Sequence, residues 1–265
     1  ITTKDLANHC NYSLYYFCHL FKVQCNLSVG EYILQKKMQT ACKLLQKNAK
    51  ITDVASLIGY DTPSGFSKAF RKKYNMSATE YCNLDINQQK IIENFNVTPL
   101  SFNKEVLNMK PVFLEKASFT ALGYCLKTDV NKGNEISKGA FWKNINFKEY
   151  PPYPQNLQDK AEIAAWINPD EITGQLQYFF GFETEIPENL SLPNGFTKLT
   201  VPAEKYAVFE ISAETNNPDL PKYLQEAWKY IFDNRVAENK LQIKENSLFF
   251  EYYKKNKAYI YIPVK

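Results

Sequence analysis

One carboxylate in the last third of this 265-residue chain sits in an unusual setting. The run Leu248-Phe-Phe-Glu-Tyr-Tyr253 places Glu251 among aromatics on a segment that reads as a β-strand. An ionised carboxylate in apolar surroundings needs a compensating partner. An aromatic wall with one acid suits a lipophilic cation, through charge pairing and cation–π contact. The same glutamate could instead alternate outward into solvent or pair with a nearby lysine, and the residues alone leave these readings open. All three tryptophans (Trp142, Trp166 and Trp228) fall, like Glu251, in the last two thirds of the chain.

Residue types restrict other chemistry. The two histidines, His9 and His19, lie in the first third, so the rear of the sequence offers no Ser-His-Asp or Cys-His set. The six cysteines, Cys10, Cys18, Cys25, Cys42, Cys82 and Cys125, form no CxxC pair. They read as free thiols in a reducing cytosol rather than a zinc site or a disulfide framework. There is no GxGxxG or GxxxxGK[ST] phosphate loop. No metal and no cofactor is implied. No apolar run nears the roughly 18 residues of a membrane span, and no secretory leader is seen, so a cytoplasmic protein without a membrane partner is expected.

Charge divides the chain. Residues 1–84 carry 10 Lys and 1 Arg against five acids, a net +6, while the remainder is net −2. A basic front on a mildly acidic rear points to a polyanion partner for the front alone.

The front is also doubled. From Asp5 the chain reads Asp-Leu-Ala, Tyr12, Phe17, Phe21-Lys22 and Ser28-Val-Gly-Glu-Tyr32; from Asp53 it reads Asp-Val-Ala, Tyr60, Phe66, Phe70-Arg71 and Ser77-Ala-Thr-Glu-Tyr81. Two copies of one unit follow. Each reads as helix, sharp turn, helix. Asn11 and Gly59 tolerate the positive φ such a turn needs. Ser13, and Asp61 or Thr62, can cap the second helix. Thr2 to Asp5, Ser28 to Glu31 and Ser77 to Glu80 resemble capping boxes. Apolar positions at Ile33, Leu34, Met38, Ala41, Leu44 and Leu45 make residues 31–47 a long amphipathic joining helix.

A helix-turn-helix sets its second helix in the DNA major groove. The spacing turns Tyr15, Tyr16, Cys18, His19 and Lys22 outward on the first such helix. On the second it turns out Pro63, Ser64, Ser67, Lys68 and Arg71. Phe17, Leu20, Phe21, Phe66, Ala69 and Phe70 face the core. Lys36, Lys37, Lys72 and Lys73 are candidates for phosphate contact, which adds affinity without sequence information.

The segment Ile51-Thr-Asp-Val-Ala-Ser-Leu-Ile-Gly-Tyr60, with Pro63-Ser-Gly-Phe-Ser-Lys-Ala-Phe-Arg-Lys-Lys-Tyr74 and Ser77-Ala-Thr-Glu-Tyr81, closely resembles the AraC/XylS signature. The resemblance covers residues 1–83. It implies an all-α tandem helix-turn-helix reading double-stranded DNA in successive major-groove segments from one chain. Departures stand at Ala78, where the family usually has Pro, and at Cys82 or Asn83, where it has Arg. Arg is also common at the place of His19, and a strong hydrogen-bonding residue at that of Cys18. Base readout by the first helix is therefore expected to be weak or biased toward thymine methyls. The family's additional N-terminal helix is expected to be missing, through truncation or a shortened start.

Residues 84–108 read as a linker with a short helix near 88–94. Beyond Pro111, strands are expected at Val112–Leu122, Glu162–Ile167, Gln177–Glu183, Leu199–Ile211, Leu248–Tyr253 and Ala258–Val264, with helices near 139–147 and 219–236. Trp142-Lys-Asn-Ile145 matches Trp228-Lys-Tyr-Ile231. The pattern predicts an α+β domain of two βαββ halves on one antiparallel sheet. The runs Tyr178-Phe-Phe-Gly-Phe182, Val201-Pro-Ala-Glu-Lys-Tyr-Ala-Val-Phe209, Phe250-Glu-x-Tyr253 and Tyr261-Ile-Pro-Val264 resemble the GyrI-like effector-binding domain, over residues 109–265. That resemblance implies a tandem βαββ with a cleft and an acid matching Glu251. It adds Trp166, Tyr253 and Tyr150 as pocket aromatics and leaves Trp142 and Trp228 to the helix-to-sheet core. The domain order is that of Rob-type regulators. A transcription regulator is implied, sensing a small amphipathic, drug-like compound such as a lipophilic cation, with RNA polymerase as a further partner. A small-molecule hydrolase using Glu251 and Tyr253, or a protein-interaction module, are the alternatives.

Overall fold

The computed structural model describes residues 2–25, 27–93, 109–127, 160–185, 192, 195–236 and 241–265. They fall into two compact units. One unit takes residues up to Ser28 together with the described residues from 109 onward; the other takes the described residues from Val29 to Glu93. The sequence boundary at residue 83 and this grouping therefore cut the chain at different places.

Both repeats form the helix, turn and helix that their residues predict. α1 (Thr3–His9) opens on a complete capping box, in which Asp5 N donates to Thr2 Oγ1 at 3.1 Å and Thr2 N to Asp5 Oδ2 at 2.7 Å. Asn11 turns the chain at φ 58°, and α2 (Leu14–Cys25) begins with Ser13 Oγ accepting from Tyr16 N at 3.2 Å. In the second repeat α4 (Ile51–Leu57) ends at Gly59, φ 79°, and α5 (Pro63–Tyr74) is capped by Thr62, which accepts from Gly65 N at 3.1 Å. α3 (Val29–Gln46) is the long joining helix. α6 (Ala78–Cys82) carries the second complete capping box, from Ser77 and Glu80. α7 (Ile86–Glu93) is the short helix of the predicted linker, whose residues 94–108 lie outside the described set.

The unit of α3 to α7 closes on Met38, Ala41, Leu45, Val54, Phe66, Phe70 and Tyr81, all buried. Phe66 and Phe70, turned inward by spacing, are fully buried.

The other unit is built on an eight-stranded antiparallel sheet. Its strands are β1 (Val112–Lys116), β2 (Phe119–Lys127), β3 (Glu162–Ile167), β4 (Gln177–Glu183), β5 (Thr197–Val201), β6 (Glu204–Glu214), β7 (Phe250–Lys254) and β8 (Lys257–Pro263). Their spatial order is β1-β6-β8-β7-β3-β4-β2-β5. The order is two-fold about the β3–β7 pair: each half lends its short first strand to the long second strand of the other. The single strands expected at Val112–Leu122 and Leu199–Ile211 are each broken in two. Pro202, with no N–H for a ladder, ends β5. Ser118 Oγ, in the matching break after β1, donates to Val201 O at 2.9 Å. The helix expected near 139–147 lies outside the described residues; its counterpart is α8 (Leu220–Tyr230), which widens into a π-helical turn at Ile231–Val236. Leu220, Leu224, Ala227, Trp228 and Ile231 form the stripe it buries in the core.

Gly123 and Gly181 face each other across β2 and β4. A Cβ on Gly123 would stand 2.1 Å from Phe180 O, and one on Gly181 would stand 2.5 Å from Leu122 O. Only glycine lets these two backbones close. Gly123→Ala or Gly181→Ala should each lower stability by about 2 kcal/mol or more, since backbone and not a flexible side chain must move. Urea denaturation measures this, and an unchanged midpoint would contradict it.

Candidate functional site

Alternation along β7 sends Phe250 and Tyr252 to one face of the sheet and Glu251 and Tyr253 to the other, the face that α8 covers. Glu251 is 9% exposed. Trp228 Nε1 donates to its Oε1 at 2.8 Å, and the Tyr253 hydroxyl to its Oε2 at 2.5 Å. Both oxygens of a buried acid are thus met by neutral donors, which offsets part of its desolvation. Burial and the Glu251 charge push the Tyr253 and Tyr178 hydroxyls well above the usual tyrosine range. Both stay protonated and able to donate. Glu162 lies opposite Tyr253 in the β3–β7 register and adds a second negative charge acting on both tyrosines.

Of the aromatics implied by resemblance, Tyr253 bonds Glu251 directly. Trp166 packs on Tyr178, rings 4.8 Å apart. Tyr150 lies outside the described residues, as does Trp142. Trp228 is buried in the helix-to-sheet core as expected, and it is also a ligand of the acid, a role that spacing alone did not reveal. Tyr178 and Glu162 were likewise missed. Alternation places each on one face of its own strand, but only the pairing of β3 with β4 and β7 brings that face to Glu251.

The outward face assigned to α2 needs correction. Tyr16, Cys18 and His19 are buried, Tyr15 and Lys22 partly so, and all bear on the sheet unit. Phe249 N donates to Tyr15 Oη at 3.1 Å. Ser13 N donates to Glu245 Oε2 at 3.1 Å, and Gln24 donates to Asp233. Lys22 Nζ lies 5.2 Å from the centre of the Trp166 ring. His19 packs on Trp228, Phe249 and Phe232, at ring separations of 4.8, 5.1 and 5.7 Å. The physical reason is that a Tyr-Tyr-Cys-His face has enough apolar surface to seal an aromatic sheet. Phe17 and Phe21, turned inward by spacing, are only half-buried, with rings 6.2 Å apart. The histidine that sequence order keeps away from the acid thus touches its tryptophan.

The second repeat keeps its assigned face. Pro63, Ser64, Ser67, Lys68 and Arg71 are exposed on α5, with Lys72 and Lys73 beside them. Lys36 is exposed over the Tyr32 ring at 5.3 Å, and Lys37 is half-buried over Tyr60 at 5.7 Å. Lys73 is held below the ordinary lysine range by partial burial, against the raising influence of Glu31. The thiol of Cys18 is pushed up to about 12, chiefly by burial, and is inert. Among the described residues no group of three His, Cys, Asp or Glu could hold a metal, and no helix is long and apolar enough to cross a membrane.

Residues 6–83 match the family model described as a helix-turn-helix domain, and residues 113–264 match that described as an integron-associated effector binding protein. A probable transcriptional regulator of Photobacterium leiognathi, LumQ, is 39% identical over 66 residues, 24% of this chain and 27% of its own. The lactose operon transcription activator of Staphylococcus xylosus is 35% identical over 82 residues, 31% of this chain and 29% of its own. The chain spans less than a third of the length of these curated relatives. An integron cassette protein of Vibrio cholerae superposes with a TM-score of 0.42 at 22% identity, over 60% of this chain and 99% of that one. A structure described as SAV2435 bound to tetraphenylphosphonium gives 0.43 at 19%, over 59% and 94%.

Neither ring nitrogen of His19 has a hydrogen-bond partner among the described residues, and burial drives its pKa from 6.5 down to about 3. The folded chain therefore binds fewer protons than the unfolded chain between those values. Stability contributed by the neutral ring is present above pH 6.5 and is lost as pH falls. At pH 5 the loss should reach about 2 kcal/mol, or local opening of α2 should intervene. His19→Leu should remove this component from the difference in urea midpoint between pH 7 and pH 5. An equal fall in both proteins would contradict the assignment.

Proposed function

The chain belongs to the integron-associated effector binding protein family, and we propose that it is a DNA-binding transcription regulator whose sheet unit senses a small amphipathic cation. The observation that carries this reading is the Glu251 carboxylate, buried against aromatic rings and held by Trp228 and Tyr253. A carboxylate buried among aromatic rings suits a ligand that brings a positive charge and apolar surface together. The rings of Trp166, Tyr178 and Trp228 offer such a cation both apolar contact and π-faces. A drug-like lipophilic cation fits this chemistry better than a neutral compound does.

On the DNA side, Ser64, Ser67, Lys68 and Arg71 share one exposed face of α5 at the spacing of a groove-reading helix. Arg71 can read guanine, and Lys36, Lys37, Lys72 and Lys73 can meet phosphates. Tyr15, Tyr16, Cys18, His19 and Lys22 can do so only where α2 leaves the sheet. The domains are assigned as residues 1–83 for DNA, 84–108 as linker and 109–265 for the effector. The setting is the cytoplasm, with RNA polymerase at the promoter as the further partner. The reading is non-catalytic and needs no cofactor. The named regulators among the relatives support the DNA-binding part.

Tryptophan fluorescence should be quenched saturably by tetraphenylphosphonium, and Glu251→Gln should weaken that binding at least tenfold, about 1.4 kcal/mol. Equal affinity in both proteins would overturn the assignment of Glu251. On a duplex enriched from a random pool, Arg71→Ala should relax base preference at one position. Lys72→Ala should instead lower affinity for all sequences and reduce the salt slope by about one. Failure to enrich any duplex would contradict the DNA-binding reading.

A further inference from the structure

We infer that α1–α2 is a self-docked helix-turn-helix: the face by which α2 would read DNA is held on the sheet beside Glu251, so docking and DNA reading by α2 exclude one another. The inference rests on the DNA-binding reading above and adds a regulation to it.

The repeat supplies the first argument. Phe17 and Phe21 of α2 correspond to Phe66 and Phe70 of α5. The latter pair is fully buried, and Ser64, Ser67, Lys68 and Arg71 are exposed opposite it. In α2 the burial is reversed. Tyr16, Cys18 and His19 are sealed and the phenylalanines are only partly buried. One sequence pattern is thus used in two opposite orientations.

The docked state is held by specific anchors. Thr3 Oγ1 donates to Ile172 O at 2.8 Å, Lys4 pairs with Glu171 at 2.8 Å, and Ser13, Tyr15 and Gln24 bond Glu245, the Phe249 backbone and Asp233. It also carries a built-in weakness. The His19 imidazole is buried with neither nitrogen bonded among the described residues, a desolvation cost that release of α2 would relieve. Free of the sheet, Phe17 and Phe21 can enter a helical core like that of the second repeat.

Two docking contacts fall on the acid's own surroundings. His19 packs on Trp228, whose N–H holds Glu251. Lys22 places its ammonium over Trp166, where an external lipophilic cation would compete for the ring. A cation bound at Glu251 therefore acts on the seat of α2 without any long relay, and favours whichever state leaves that seat free.

The test uses the full chain and the double variant Asp233→Ala, Glu245→Ala, which removes two anchors without touching α5 or Glu251. Amide exchange across residues 14–25 should speed up at least tenfold in the variant, with α5 and the strands unchanged. On the enriched duplex the variant's hydroxyl-radical footprint should be longer than the wild type's by one helical turn, roughly 10 base pairs. Saturating tetraphenylphosphonium should lengthen the wild-type footprint in the same way. His19→Leu should slow exchange in α2 instead. Equal footprints in wild type and variant would overturn the inference while leaving DNA binding intact. Tetraphenylphosphonium that binds without changing the α2 exchange would overturn its link to the effector. If this cation does not bind at all, the cation reading fails, and the variant's footprint alone upholds or overturns the docking.

Discussion

A buried carboxylate is costly, and an indole N–H and a phenol O–H aimed at the two oxygens of Glu251 offset part of that cost. Much of the sheet unit answers to that requirement. α8 must lie across the sheet so that Trp228 can reach the acid. β7 must alternate so that Tyr253 falls on the same face. β3 and β4 bring Glu162, Trp166 and Tyr178 to that face by simple register. The close approach of β2 and β4 at the Gly123–Gly181 pair holds the neighbouring strands to that geometry.

The two repeats show how little separates alternative uses of one pattern. Both turn at a residue of positive φ, both cap their second helix with a hydroxyl, and both carry paired phenylalanines. What differs is the opposite face. On α5 it is serine, lysine and arginine, which water solvates. On α2 it is tyrosine, cysteine and histidine, which gain from burial against aromatics. The Tyr-Cys-His face of α2 thus has a packing consequence: it is buried on the sheet unit.

Capping boxes, turn residues and the 48-residue repeat made the helices legible, because those signals are local. Strand positions were legible from alternation, and Pro202 carried the one cue that a strand would break. The exchange of β1 and β5 between halves was not legible, since it depends on non-local pairing. Glu251 and Tyr253 could be picked out because an acid among aromatics is a compositional anomaly. Trp228, Tyr178 and Glu162 could not, because their convergence needs the register of three strands and one helix. The orientation of α2 was misread for the same reason: spacing names two faces of a helix, and the partner decides which is buried.

The most direct measurement is the indole N–H resonance of Trp228 in the ¹⁵N-labelled full chain, followed while tetraphenylphosphonium is added. If Glu251 is the seat of cation recognition, that resonance shifts saturably as the cation approaches the carboxylate to which Trp228 donates, and the Glu251→Gln protein shows no such shift. A Trp228 signal that stays fixed while the cation demonstrably binds would place recognition elsewhere and contradict the central claim.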